Sequence, residues 1–321
     1  MLAYLVRRLA WGGVTVLGVL LFLFALFFLL ATPDDIARKA LGEKAPQAAL
    51  DQWKANHGYD KPRLWNPEAP ADTMLADHFR RMLSFDFGNS DADDTPIAKR
   101  LREGVGPSLS FTLPLFVLGL TLGVTLALFV AFFRDSYIDR AGTVIAVGMM
   151  SVSTLLYIIG VQYLLGKLLR WFPISGFDPA PDVIWRFLAL PVIVGMAAGL
   201  GSDLRFYRTV FVEETGKDYV RTARAKGCGE GRIMGRHVLR NSLIPILTGV
   251  VVQIPFLFTG SLLLESFFGI PGLGSMTVDA INANDFATLR VMVYIGSLLF
   301  IVGQILTDIS YTLADPRVRL G

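Results

Sequence analysis

The chain of 321 residues has few residue types at spacings that support catalysis or metal binding. Glycine-rich loops can cradle phosphate, but the run GIPGLG at 269–274 has no lysine, and G-x-x-x-x-G-K-[ST] does not occur. His57 and His78 have no ligand-like spacing, and Cys228, the single cysteine, excludes an intrachain disulfide and a thiolate cluster. H-E-x-x-H and G-x-S-x-G are also absent. The sequence therefore predicts no catalytic residue, no metal, no cofactor and no ATP hydrolysis by this chain.

A mechanical role is indicated by the arginine-rich segment Asp218–Pro245, which separates two uncharged runs and so lies outside the lipid. Val220, Ala223 and Gly227 share one helical face by spacing, and glycines on both sides of Cys228 permit a sharp turn. A basic stripe follows at every fourth residue, namely Arg232, Arg236 and Arg240. We expect a helix-turn-helix whose small-residue face contacts another protein. The alternative is a solvated basic loop that anchors to anionic lipid head groups.

Membrane helices must position this segment, because only 18% of the residues are charged and the apolar residues form long runs. A helix needs roughly 20 apolar residues to cross ~30 Å of hydrocarbon. Six largely uncharged runs meet or approach that length: Leu9–Ala31, Val105–Phe133, Ala141–Gly166, Ile184–Ser202, Asn241–Leu264 and Val291–Leu313. They predict an all-α integral membrane protein with six transmembrane helices.

Short basic loops fix the expected orientation. Nine lysines and arginines against five acids lie between the fourth and fifth runs. Further basic residues occur before the first run, between the second and third, and at the C terminus: Arg7, Arg8, Arg134, Arg140, Arg317 and Arg319. With six spans, all of these lie on one side, which predicts cytoplasmic N and C termini. The net charge of +3 then reflects topology, and no nucleic-acid partner is expected.

Three parts follow along the chain. Residues 1–31 form an N-terminal segment and the first span, whose apolar core is longer than that of a cleaved signal peptide. Residues 32–104 form an outer segment of short amphipathic helices without an independent domain. Residues 105–321 form a core of five spans that includes a cytoplasmic loop at 203–242.

Polar residues inside the spans are candidates for a translocation pathway. Gln253 lies near the middle of the fifth run between two prolines, where an amide is costly unless it faces protein or water. Thr259 and Ser153 carry hydroxyls in the fifth and third runs. The alternative for all three is hydrogen bonding within or between helices.

Several motifs together resemble the B-type permease subunit of ABC importers of dipeptides, oligopeptides and nickel. They are YVRTARAKG (219–227), RHVLRNSLIP (236–245), GYDKP (58–62), FDFGNS (85–90), ESFFGIPGLG (265–274) and ISYTLADPRVR (309–319). The resemblance covers nearly the whole chain, and its last motif and DFGNS favour the oligopeptide and microcin-C-type branch.

The resemblance implies a type I ABC importer permease fold with six spans, in which the loop before the fifth span is a coupling helix seated on a cytoplasmic ATPase. The implied coupling residues are Tyr219, Arg221, Thr222, Ala223, Arg224, Ala225, Lys226 and Gly227. The wider superfamily writes this element as E-A-A-x-x-x-G. Arg221 stands where that pattern has glutamate, so a salt bridge from the glutamate is not carried over.

The resemblance also implies the partners and the location. They are a second homologous permease subunit, two cytoplasmic ABC ATPases, a substrate-binding protein and membrane lipid, in the bacterial inner membrane. The expected function is a multi-pass permease subunit for di- or oligopeptides, and the family also allows nickel or another small solute. A secondary transporter would need acidic residues at mid-membrane, and the central runs contain none. A membrane hydrolase would need a paired nucleophile and base, which no run contains.

Overall fold

The structure, a computed structural model, describes residues 2–30, 32–67, 69 and 72–314. The α-helices are α1 (Leu2–Phe24), α2 (Pro33–Leu41), α3 (Gln47–His57), α4 (Met74–Leu83), α5 (Ile97–Phe132), α6 (Tyr137–Met150), α7 (Thr154–Val161), α8 (Ile184–Thr215), α9 (Asp218–Ala225), α10 (Glu230–Arg232), α11 (Leu239–Gln253), α12 (Leu262–Phe268), α13 (Leu273–Asn282) and α14 (Phe286–Ala314). π-helical turns occur at Ala25–Leu30, Gln162–Leu168 and Ile233–Val238, and a 3₁₀ turn at Ile254–Leu257. Ala31, Arg317 and Arg319 of the predictions above lie outside the described residues.

Five helical stretches are long and apolar enough to cross a membrane: Val6–Leu29, Ile97–Phe132, Ile184–Thr215, Glu230–Leu257 and Phe286–Ile309. A sixth span is possible if α6 and α7, with the π-helical turn that extends α7 to Leu168, are taken as one bent crossing. This architecture confirms the prediction of an all-α membrane protein. The predicted third span is not one straight helix, because the pair bends by 93° at residues 151–153.

The fourth and fifth spans also differ from their predicted limits. Residues 203–215 belong to α8, so the first part of the predicted loop 203–242 is helical. One of its charges is paired, since Arg208 binds Asp139 of α6 through two hydrogen bonds of 2.5 and 2.7 Å. The fifth run ends as a helix at Leu257, and α12 starts only at Leu262. Pro255 lacks an amide hydrogen and Gly260 has φ of +70°, which together end the continuous helix.

The helices α5, α6 and α8 form the centre of the fold. Gly201 of α8 lies so close to α6 that a Cβ atom there would stand 2.6 Å from the carbonyl oxygen of Ala146. Tyr207 and Phe211 continue the buried face of α8 and are 4% and 0% exposed. The close packing makes these three helices one block, whereas α14 packs against α1, α11 and α13.

The segment 32–104, here called the long loop, packs on the ends of α1 and α14. Its short helices place Leu50, Trp53 and Met82 in one apolar cluster with Leu20 of α1 and Tyr294 of α14. Helix α3 ends at Gly58 in a left-handed conformation with φ of 72°. The long loop therefore shares a core with the membrane helices.

Two buried aspartates fasten the long loop to the start of α14. Asp285 is 1% exposed and accepts hydrogen bonds from the Ser90 hydroxyl at 2.5 Å and from the Asp91 amide at 3.0 Å. In return, the Asp91 carboxylate accepts a 2.7 Å bond from the amide of Ala287. Both carboxylates meet the positive N-terminal end of α14, where anions are stabilised. This reciprocal pairing fixes residues 90 and 91 to the helix.

The His78 ring lies between α4 and α1 and is 5% exposed. Its Nε2 is 3.1 Å from the carbonyl oxygen of Leu20, so Nε2–H donates and Nδ1 has no partner among the described residues. Burial, with a smaller contribution from Arg290, lowers the pKa of His78 from 6.5 to about 4. The unfolded chain therefore binds a proton at this histidine below pH 6.5, whereas the folded protein does not.

We predict that folding stability contributed at His78 is fully present above pH 6.5 and is lost as the pH falls toward 4. At pH 5 the loss is on the order of 2 kcal/mol, since one pKa unit corresponds to about 1.4 kcal/mol. Thermal unfolding of the purified protein at pH 7 and pH 5 should show a smaller difference in His78→Leu than in wild type. An equal difference in both proteins would contradict this assignment.

Candidate functional site

The first candidate region is the basic turn, defined as Asp218–Arg232, at the end of α5 opposite the long loop. Gly227 follows α9 with φ of +80°, a conformation that side chains with a Cβ atom resist. The amide of Cys228 then donates to the carbonyl of Ala223 at 3.1 Å and closes the helix. Across the turn, Arg224 makes two hydrogen bonds of 2.6 and 3.0 Å to the Glu230 carboxylate. The turn is therefore held in one shape by backbone and side-chain bonds.

The apolar face of α9 packs against the chain itself. Val220 is 0% exposed and Ala223 is 9% exposed, and both belong to a cluster with Phe211, Ile233 and Val238. Val220 and Ala223 are thus covered by the chain itself, Gly227 of the same face is exposed, and contact of this face with another protein stays a prediction. Helical spacing identifies an apolar face but not what covers it, and here α8 and the π-helical turn cover it.

The surface open to a partner is the other side of α9. Tyr219 is half-buried, and its hydroxyl donates to Glu214 at 2.9 Å. The remaining predicted coupling residues are exposed: Arg221, Thr222, Arg224, Ala225, Lys226 and Gly227. The basic stripe that follows, Arg232, Arg236 and Arg240, is exposed as well. We call these exposed basic residues of α9 and of 232–240 the basic surface; Val220 and Ala223 form the buried apolar contact on the other side of α9.

The second candidate region is a cleft of about 340 Å³ between α5, α8 and the end of α11. Of the three residues predicted for a pathway, Gln253 lines it. Ser153 lies at the bend between α6 and α7, and Thr259 lies in the break after the 3₁₀ turn, where its hydroxyl donates to Phe256. Neither of these two lines the cleft, so the structure brings together only part of the predicted set.

Asp203 also lines the cleft and was missed, since the sequence reading took it as the charged end of the fourth run. The predicted run Ile184–Ser202 contains no acidic residue, but the spanning stretch Ile184–Thr215 continues through Asp203. A signal was present in the sequence, because Tyr207 and Phe211 follow Asp203 at four-residue intervals and continue one helical face. That spacing predicts that the helix extends beyond the first charge.

A third feature, at the long-loop end, is the carboxylate of Glu265, which is 0% exposed. It accepts hydrogen bonds from the Ser108 hydroxyl at 2.9 Å and from the amides of Ser261, Gly274 and Ser275 at 3.1, 2.7 and 3.2 Å. The Ser108 oxygen in turn accepts from the Leu273 amide at 2.8 Å. Burial raises the pKa of Glu265, and these hydrogen bonds oppose the rise. One carboxylate thus joins α5, α12 and α13.

The glycines of the run GIPGLG and its surroundings make this burial possible. A Cβ atom at Gly272 would overlap the Glu265 carboxylate and the Ser108 hydroxyl, and one at Gly260 would overlap the same carboxylate. The glycine-rich loop therefore encloses a carboxylate of its own chain in place of a phosphate. We call Glu265 and its four donors the carboxylate cradle.

We predict that Gly272→Ala destabilises the protein by about 1–3 kcal/mol, the usual range for overpacking, because the added methyl displaces Glu265. The backbone of Gly272 has negative φ, so the effect is steric alone. Gly106→Ala is the matched control, because it lies near Ser108 on α5 and has no atom within 4 Å of its Cβ position. Thermal unfolding in detergent should separate the two variants, and equal melting temperatures would contradict the cradle.

Comparison with known proteins gives consistent matches. A family model described as a binding-protein-dependent transport system inner membrane component matches residues 123–320. A protein of Brucella abortus assigned as a peptide transport system permease is 31% identical over 323 residues, covering 99% of both chains. The glutathione transport system permease protein GsiC of Pectobacterium atrosepticum is also 31% identical over 323 residues, covering 99% of both chains. The GsiC protein of Salmonella choleraesuis is 29% identical over 322 residues and also covers 99% of both chains.

Proposed function

The chain belongs to the family of binding-protein-dependent transport system inner membrane components, and from that premise we propose that it forms half of the translocation pathway of an ATP-driven peptide importer. It is the multi-pass membrane permease of such a system. The peptide class is supported by the relatives, which are named for transport of peptides and of the tripeptide glutathione. The second permease, two ATPases and a binding protein complete the proposed assembly.

The observation that carries the coupling proposal is the rigid attachment of the basic turn to the membrane helices. Val220 and Ala223 are buried against Phe211 of α8 and against Ile233 and Val238 of the π-helical turn. A displacement of α9 must therefore move α8 and the start of α11 as well, because packed interfaces shift between discrete arrangements and do not deform continuously. The exposed basic surface would be seated on the ATPase, which hydrolyses ATP while this chain has no catalytic role.

One position beyond the π-helical turn Ile233–Val238, which packs on α9 and moves with it, is suited to absorb this movement. Pro245 within α11 removes one backbone hydrogen bond and weakens the helix locally. At the other end, the carboxylate cradle would hold α5, α12 and α13 together while the basic turn moves.

The basic turn lies at one end of α5 and the long loop at the other. We place the basic turn in the cytoplasm, following the excess of lysine and arginine near it, and the long loop with the carboxylate cradle on the outer face. With six crossings both termini are then cytoplasmic. The long loop is the surface on which we expect the substrate-binding protein to dock.

We predict ATP-dependent uptake of radiolabelled tri-alanine by proteoliposomes that contain this chain, its second permease and ATPases, and the binding protein. Omission of ATP should abolish uptake, and nickel ions should not accumulate. Uptake of nickel in place of peptide would overturn the substrate class. Uptake driven by an ion gradient without ATP would overturn the importer mechanism.

Two alanine-to-tryptophan substitutions on α9 distinguish an effect on ATPase docking from an effect on folding. Ala225 is exposed on α9, so Ala225→Trp should leave assembly and melting temperature unchanged while reducing ATP-coupled uptake at least tenfold, because the indole obstructs the ATPase contact. Ala223 is buried, so Ala223→Trp should lower the melting temperature, since overpacking costs about 1–3 kcal/mol. Wild-type uptake by Ala225→Trp would contradict docking through this face.

A further inference from the structure

The carboxylate of Asp203 faces a membrane cleft without a partner. Among the residues that the structure describes, no hydrogen bond or ion pair is formed by this carboxylate, although it lies within the spanning helix α8. Its Cβ atom packs close to α5, since a Cβ atom built at Gly123 would lie 3.0 Å away. Tyr207, one turn further along α8, is 4% exposed and also lines the cleft.

The nearby arginines of α8 do not neutralise Asp203. Arg208 is committed to Asp139 through two hydrogen bonds. Arg205 is two residues from Asp203, which places it about 200° around the helix and so on a different face. Asp203 is also the one charged side chain among the described residues that line the cleft.

The position of Asp203 within the stretch Ile184–Thr215, which is apolar and long enough to cross a membrane, makes an unpaired charge costly. It packs opposite Gly123, nine residues before the end of α5 at Phe132. Ionisable residues in spanning helices are rare and typically face a water-filled cavity or a transported ion or substrate. The cleft volume of about 340 Å³ is enough for roughly eleven water molecules or a small solute.

We propose that Asp203 is the cation-binding group of the translocation pathway and that it receives the protonated amino group of the peptide in transit. The other polar groups in the cleft are an amide and hydroxyls, from Gln253, Thr112, Tyr207 and Ser261, and apolar side chains form much of the remaining wall. A single carboxylate with such neighbours suits an ammonium group on a partly apolar solute. Protein sites for Ca²⁺ usually combine several carboxylates, whereas Asp203 is the one carboxylate among the described residues of this wall.

The choice of a peptide amine rests on the proposed function, whereas the cation-binding role rests on the cleft. The test therefore measures binding to the purified importer in lipid nanodiscs at pH 7, without the binding protein and without ATP. The two probes are radiolabelled tri-alanine and its N-acetylated form, which differ in the positive charge at the N terminus. The variants are Asp203→Asn, which removes the charge, and Asp203→Glu, which keeps it.

The wild type and Asp203→Glu should bind tri-alanine more tightly than the acetylated probe. Asp203→Asn should weaken tri-alanine binding at least tenfold and leave binding of the acetylated probe unchanged. A purely structural role for Asp203 would reduce binding of both probes together and would overturn the inference. Equal binding of both probes by the wild type, or binding of neither, would also overturn it. The ATP-driven uptake assay is independent of this binding assay. Failure of peptide uptake contradicts the proposed function, whereas failure of the binding assay contradicts the role of Asp203.

Discussion

The burial of Val220 and Ala223 against Phe211, Ile233 and Val238 is the contact on which the rest of the structure depends. It turns a solvent-exposed, charged segment into a fixed extension of two membrane helices. The Arg224–Glu230 pair is exposed and contributes little to stability by itself, but it holds the two arms of the turn in one orientation. In the coupling that we propose, force applied to the basic surface would reach the cleft through these packed side chains and through α8.

The two ends of the molecule are built differently, which suits a gate. At the basic turn, apolar packing connects α9 with α8 and the π-helical turn. At the other end, polar groups are locked in place, since Glu265, Asp285 and Asp91 are buried carboxylates whose partners lie on separate helices or on the long loop. A buried carboxylate with several hydrogen bonds is costly to separate from its donors.

The sequence was informative wherever composition alone decides structure. Uncharged runs located the spans, because hydrocarbon excludes charge. The sequence did not predict the contacts that another element of the fold decides. The side chains that cover Ala223 lie on α8 and on the π-helical turn. The Ser108 donor to Glu265 and the Asp139 partner of Arg208 lie 157 and 69 residues away along the chain. The place of Asp203 in the cleft was not predicted for the same reason. A charged residue ends a membrane span unless the fold provides a cleft for its side chain, and the sequence alone does not show that cleft.

The most direct test of the central claim is a cryo-EM comparison of the intact importer without nucleotide and with bound ATP. The account predicts that the exposed face of α9 is seated on the ATPase in both states. It also predicts that residues 204–240 superpose as one body while their position relative to the Glu265 cradle changes. A basic turn free of any ATPase contact, or one that moves while α8 and α11 stay in place, would contradict it.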